Sequence, residues 1–100
     1  MAIDAIMINE IDNVATALRD LEVGEIVTVG IGTQHNQVTV QEHILYGHKF
    51  ATKDIDKGDL ILKYGETIGR ATSHIDEGTH AHIHNIESLR GRGDLQKEAI

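Results

Sequence analysis

Short runs of Ile, Val and Leu, each cut off by a polar segment that carries glycine, set most of the secondary structure expected of this chain. Ala5 to Ile8, Glu25 to Ile31, Gln37 to Val40, Leu60 to Lys63 and Ile68 to Thr72 are predicted strands. The polar stretch Gly32-Thr33-Gln34-His35-Asn36 is the expected loop between the second and third, and Tyr64-Gly65-Glu66-Thr67 the turn between the last two. Only one stretch has helical spacing. Val14, Leu18 and Leu21 follow Asp12, a residue suited to an N-cap, and predict a short helix over Asn13 to Asp20. Near the end, Gly78-Thr79-His80-Ala81-His82-Ile83-His84-Asn85 alternates imidazole with apolar residues, so an extended chain would carry histidine on one face and Ala81 and Ile83 on the other.

A repeated octet orders these pieces. Ala51 to Asp59 and Ala71 to Thr79 agree in register at Ala, Thr, Ile, Asp and Gly, and Ala17 to Glu25 is a fainter copy. Their shared pattern is Ala-x-x-[Asp/His]-[Ile/Leu]-x-x-Gly, each time leading into a strand-like run. That is the pattern of a strand end, a tight turn around one buried Ile or Leu, and a Gly supplying backbone angles that other residues avoid. Copies so short and so few do not make a solenoid; they fit successive corners of a small coiled β-structure. The expectation is one mostly β domain over 1–100, with one short helix and a flexible, glycine-rich, charged tail from about residue 90 to 100.

Composition narrows the function classes. Of 100 residues 40% are hydrophobic but only 3% aromatic, so Ile, Val and Leu must build the core. So small a core leaves little room for a deep enclosed site, which favours a surface completed by a partner. A net charge of −7 without a basic stripe argues against nucleic acid. There is no cysteine, hence no thiolate metal site. Met1 to Ile11 lacks a basic flank and a long apolar run, and no stretch reaches the roughly 20 apolar residues of a membrane span, so a cytoplasmic protein without membrane contact is expected.

The alternate histidines are the main chemical signal, since imidazole suits metal binding and proton transfer near neutral pH. In a straight strand His80 and His84 would lie about 13 Å apart, whereas nitrogens sharing one ion must approach to roughly 3–3.5 Å. Neighbouring pairs, His82 with His84 or His80 with His82, are therefore the feasible units, and a further ligand must come from elsewhere. Tyr46-Gly47-His48-Lys49-Phe50-Ala51 is the second candidate. Gly47 allows close backbone approach, and His48 and Lys49 offer a proton donor and a cation suited to a carboxylated or sulfonated substrate. His35 and His43 read as solvated, His74 as a turn cap, and Arg90 and Arg92 as anion grips or tail decoration. No nucleophile elbow, P-loop or dinucleotide fingerprint is present.

Gly47-His48-Lys49-Phe50-Ala51, Asp54-Ile55 with Gly58, Lys63-Tyr64-Gly65, Ile68-Gly69 and His82-Ile83-His84-Asn85, followed by Glu87 to Asp94, resemble the small SAF-type domain of the altronate and galactarate dehydratase family. The related sulfolactate sulfo-lyase small subunit is similar too. The resemblance implies a compact β-clip, either fused to a large catalytic domain or separately encoded, and the length of this chain points to the separate form. It implies a small subunit of a hydro-lyase that dehydrates a sugar acid with Fe2+, or Mn2+ in its place, held by this chain or mainly by a large dehydratase subunit. Carried over by position, His48 and His82 are the expected catalytic residues, Gly47, Lys49, Asn85 and Arg90 the substrate contacts, and His82 and His84 the metal ligands. His80 matches only some members. Two alternatives stand beside this reading: a stand-alone sugar-acid-binding β-clip without catalysis, and a sulfolactate sulfo-lyase small subunit. A homo-oligomer is compatible with each. His48, His82 and His84 are expected to share one surface, and the isolated chain to be inactive without its partner.

Overall fold

The computed structural model describes residues 2–89; Arg90, Arg92 and the expected flexible tail lie outside the described residues. Among the described residues there are nine strands: β1 (Ala5–Met7), β2 (Val14–Ala17), β3 (Ile26–Ile31), β4 (Gln34–Thr39), β5 (Lys49–Ala51), β6 (Leu60–Lys63), β7 (Glu66–Ala71), β8 (His80–Ala81) and β9 (Ile86–Ser88). They form a six-stranded sheet in the order β4-β3-β1-β2-β5-β8 and a three-stranded sheet in the order β6-β7-β9. All pairings are antiparallel except β1 with β3. The expected mostly β class holds, with almost no helix among the described residues.

The predicted helix over Asn13 to Asp20 is a strand instead. β2 lies inside the large sheet between β1 and β5, and Val14, Ala15 and Ala17 are all buried. Both faces are covered: Ala15 and Ala17 belong to a core with Leu21, Val27, Val29, Ile44 and Phe50, while Val14 belongs to a second core with Ile55, Ile61, Ala71 and Ile75. A strand buried on both faces loses its period-two pattern, and the remaining spacing of Val14, Leu18 and Leu21 imitates a helix.

Asp12 does not cap a helix; it caps the distant turn between β6 and β7. Its fully buried carboxylate accepts the N–H groups of Tyr64 at 2.8 Å and Gly65 at 2.7 Å. Asn13 stitches the same two sheets. Its amide donates to the Leu60 carbonyl at 2.8 Å and accepts the Leu62 N–H at 2.8 Å, although β6 is 47 and 49 residues away in sequence. The loop expected over Gly32 to Asn36 shrinks to a two-residue turn, so His35 lies exposed on β4 opposite Gly30.

The repeats are corners, and there are four of them, at 17–24, 40–47, 51–58 and 71–78. The second copy is hidden in the sequence because Val40 stands in place of its Ala. The corners interlock in two pairs. Leu21 and Ile44 exchange backbone hydrogen bonds at 2.8 and 2.9 Å, and Ile55 and Ile75 do the same at 2.8 Å. In each corner the glycine N–H donates to the first residue of the partner corner: Gly24 to Val40, Gly47 to Ala17, Gly58 to Ala71 and Gly78 to Ala51, each at 2.8 Å. All four glycines have φ between +82° and +92°, which explains why no other residue type occupies the position.

Candidate functional site

His48 comes directly after the second corner, and His80 opens β8 beyond the fourth, with one residue between. β5 and β8 pair with Lys49 opposite Ala81 and Phe50 opposite His80, which brings both corner exits to one edge of the large sheet. There His48 Nδ1 and His80 Nε2 are hydrogen-bonded across 2.9 Å. Beyond Ala81 the chain leaves the sheet. The Asn85 side chain, with 8% exposure, accepts the His82 N–H and donates to the His80 carbonyl, each at 2.8 Å. The Asn85 and Ile86 N–H groups return to the His82 carbonyl at 3.1 and 2.9 Å.

This turn replaces the expected strand over His80 to His84. It folds the segment back, so the outer pair that a straight strand would hold far apart has ring centroids 5.2 Å apart. The His48, His80 and His82 rings lie 5.0–5.2 Å from one another. One ligand nitrogen from each of these three falls within 4.8 Å of the others. The compact trio is therefore His48, His80 and His82, with exposed His84 flanking it. His48, which the sequence placed in a different motif, joins the segment by fold alone.

Electrostatics favour the neutral form of His80 and His82. Burial pushes the His80 pKa down, as do the charges of His48, His82 and His84, against the opposing pull of Glu42. His82 is pushed down by burial, then by Lys49, His48 and His84. Neutral imidazole is the form that binds a metal or accepts a proton. Three imidazoles leave coordination positions open and suit iron and similar divalent ions, so the donor set fits the metal that the resemblance implies.

The other sequence candidates fall as follows. Lys49 is half-buried beside His82, and its pKa is pushed down by burial and by Lys63. Gly47 serves as the corner glycine, with its N–H committed to Ala17. Arg90 lies outside the described residues. His43 reaches Glu22 at 3.5 Å on the exposed surface. His74 bridges Asp56 at 3.0 Å and Asp76 at 2.9 Å, tying two paired corners as a cap would. Two participants escaped the sequence reading. Glu42 accepts the His80 N–H at 2.5 Å, and Lys63 approaches the groove from the other sheet. The missed corner was the signal for Glu42, which it places at the sheet edge. A larger cleft of about 660 Å³, rimmed by Glu10, Asp12, Gln34, Thr52, Lys53 and Glu77, contains no histidine, and its acid groups would repel an anion.

A small coiled β-module that presents an open imidazole cluster at a sheet edge is the class this geometry defines. The chain belongs to the altronate/galactarate dehydratase SAF domain family, matched over residues 3–89. It is 45% identical to an altronate dehydratase of Escherichia coli over 83 residues, covering 83% of this chain and 16% of that protein. A Bacillus subtilis altronate dehydratase is 39% identical over 84 residues, again 16% of its length. The chain thus spans about one sixth of these two relatives. Against the (2R)-sulfolactate sulfo-lyase subunit alpha of Chromohalobacter salexigens it is 31% identical over 93 residues, covering 90% of this chain and 99% of the relative. Its relatives are lyases, and among the described residues no helix is long and apolar enough to cross a membrane.

Proposed function

We propose that this chain is the small component of a metal-dependent lyase that eliminates water from a sugar acid, completed by a separate large catalytic subunit. The observation that carries the reading is the convergence of His48, His80 and His82 at an open sheet edge, where a second body can close over them. Eliminating a group β to a carboxylate needs a base for the α-proton, stabilisation of the enolate and an acid for the leaving group. Neutral His82 takes the α-proton on a ring nitrogen. His48, hydrogen-bonded to His80, delivers a proton to the departing hydroxyl, which leaves as water. Lys49 draws the substrate carboxylate towards the imidazoles. A divalent ion, Fe2+ or Mn2+, held mainly by groups of the large subunit beside this edge, would supply charge stabilisation for the enolate and leave His48 and His82 free for proton transfer.

The second reading is a sulfo-lyase small subunit, favoured by the end-to-end length match with subunit alpha of the sulfolactate enzyme. The chemistry at the α-carbon is the same; the leaving group is sulfite. One experiment tests both. The chain is co-expressed with a dehydratase-like large subunit, loaded anaerobically with Fe2+, and assayed against sugar acids and sulfolactate for keto-acid and sulfite release. Turnover by the pair and not by the small chain alone is expected. His48→Ala and His82→Ala should each lower it roughly 10²–10⁴-fold with subunit affinity little changed. Full activity of the small chain alone, or unimpaired turnover in both variants, would overturn the proposal.

A further inference from the structure

We propose that Lys49 and Lys63 together form an oxyanion seat for the terminal carboxylate or sulfonate of the substrate, beside the imidazole cluster. The inference rests on the lyase reading and gives it a substrate-holding pair that bridges the two sheets.

Lys49 lies on β5 of the large sheet and Lys63 on β6 of the small one, yet both line a single groove of about 280 Å³. Ile68, Ile83 and Ile86 supply its apolar walls, and His82 closes the end nearest the cluster. Both lysines are half-buried. Among the described residues neither makes an ion pair, although the chain has 16 Asp and Glu against 9 Lys and Arg. Arg19, by contrast, is held by Asp4 at 3.1 Å and Glu25 at 2.8 Å. Two neighbouring cations against an apolar wall repel each other; burial lowers the pKa of Lys49 and the charge of Lys63 lowers it further. An anion between them reverses the sign of that interaction, and apolar walls strengthen the attraction by lowering the local dielectric.

The Lys63 ammonium is steadied 4.8 Å above the Tyr64 ring, whose backbone N–H is fixed by Asp12. The groove sits at the lower end of the volumes that hold small ligands, so it suits one end of a short acid and not a polymer. Because His82 borders both groove and cluster, an acid seated on the lysines extends its neighbouring carbons towards His48 and His82. Lys63 is thereby a specificity-determining residue: it adds a second cationic donor, so that two oxygens of one carboxylate or sulfonate group can each be held.

The test uses the full chain and NMR of the lysine side-chain ammonium groups, titrated at constant ionic strength with acetate and, separately, methanesulfonate. Saturable shifts are expected at Lys49 and Lys63 and not at exposed Lys53 and Lys57. Lys63→Gln should weaken binding at least about ten-fold, the loss of one charge-assisted hydrogen bond, and Lys63→Arg should restore most of it. A preference for acetate assigns the seat to a carboxylate end; a preference for methanesulfonate assigns it to a sulfonate. Equal response at all four lysines, or unchanged binding in Lys63→Gln, overturns the seat. A Mn2+ titration of the same sample, followed by line broadening at His48 and His82, reads the imidazole cluster independently. The seat can thus fail with the lyase reading intact, and the reverse.

Discussion

Asn85 grips the His82 N–H and the His80 carbonyl with one amide, so the shape of the histidine segment depends on a single side chain. Asn85→Ala leaves both backbone groups unpaired in a half-buried turn and should cost about 1–3 kcal/mol in urea unfolding. The same change should separate the His80 and His84 rings, visible as altered imidazole NMR shifts. Asn85→Asp keeps the acceptor and loses the donor, and should fall between. The alternation of imidazoles was legible in the sequence; the turn that folds them together was not, because a side chain bonding to backbone leaves no periodic trace. His74 gives a pH signature. Asp56 and then Asp76 raise its pKa by hydrogen bonding, with Asp54 also close. A raised folded value means its stabilisation is fully present below the ordinary value of 6.5 and is lost as pH rises through the raised one. The thermal midpoint of His74→Ala, compared with the parent from pH 6 to pH 8.5, should show a deficit that shrinks as pH rises.

Among the corners, the four glycines share one backbone conformation but not one environment. A Cβ at Gly24 would meet nothing within 4 Å, whereas at Gly78 it would run into the Thr39 carbonyl oxygen. Gly24→Ala should therefore cost only the backbone strain, about 1–3 kcal/mol. Gly78→Ala should cost more, because β4 must also move aside; paired chemical denaturation curves would rank them. Three of the four corners were legible from the Ala-to-Gly spacing. Their pairing was not, since the partner of each corner is chosen by backbone hydrogen bonds that any residue can make. β2 was misread for a related reason. Most of its neighbours on the two faces come from residues 27–50 and 51–81, and nothing within the segment announces them.

For the whole molecule, the β class and the family were legible because the motifs that carry them stand in order along the chain. The meeting of His48 with His80 and His82 was only partly so. The sequence expectation of one shared surface rested on both motifs lying beside corners, but the depth of the contact depends on the β5 to β8 pairing. Likewise, Lys63 could not be placed beside Lys49 before the Asn13 stitch between the two sheets was known.

His48 leaves the first interlocked pair of corners, while His80 and His82 leave the second. An ion held by all three would act as a latch across the two halves of the chain, so that loading the site and fastening the fold become the same event. Occupancy at about one hundred times the dissociation constant is worth about 2.7 kcal/mol of added stability. The thermal midpoint of the isolated chain should climb with the logarithm of Mn2+ or Zn2+ concentration, and His80→Ala should remove that slope. The chain would then stiffen as it binds metal.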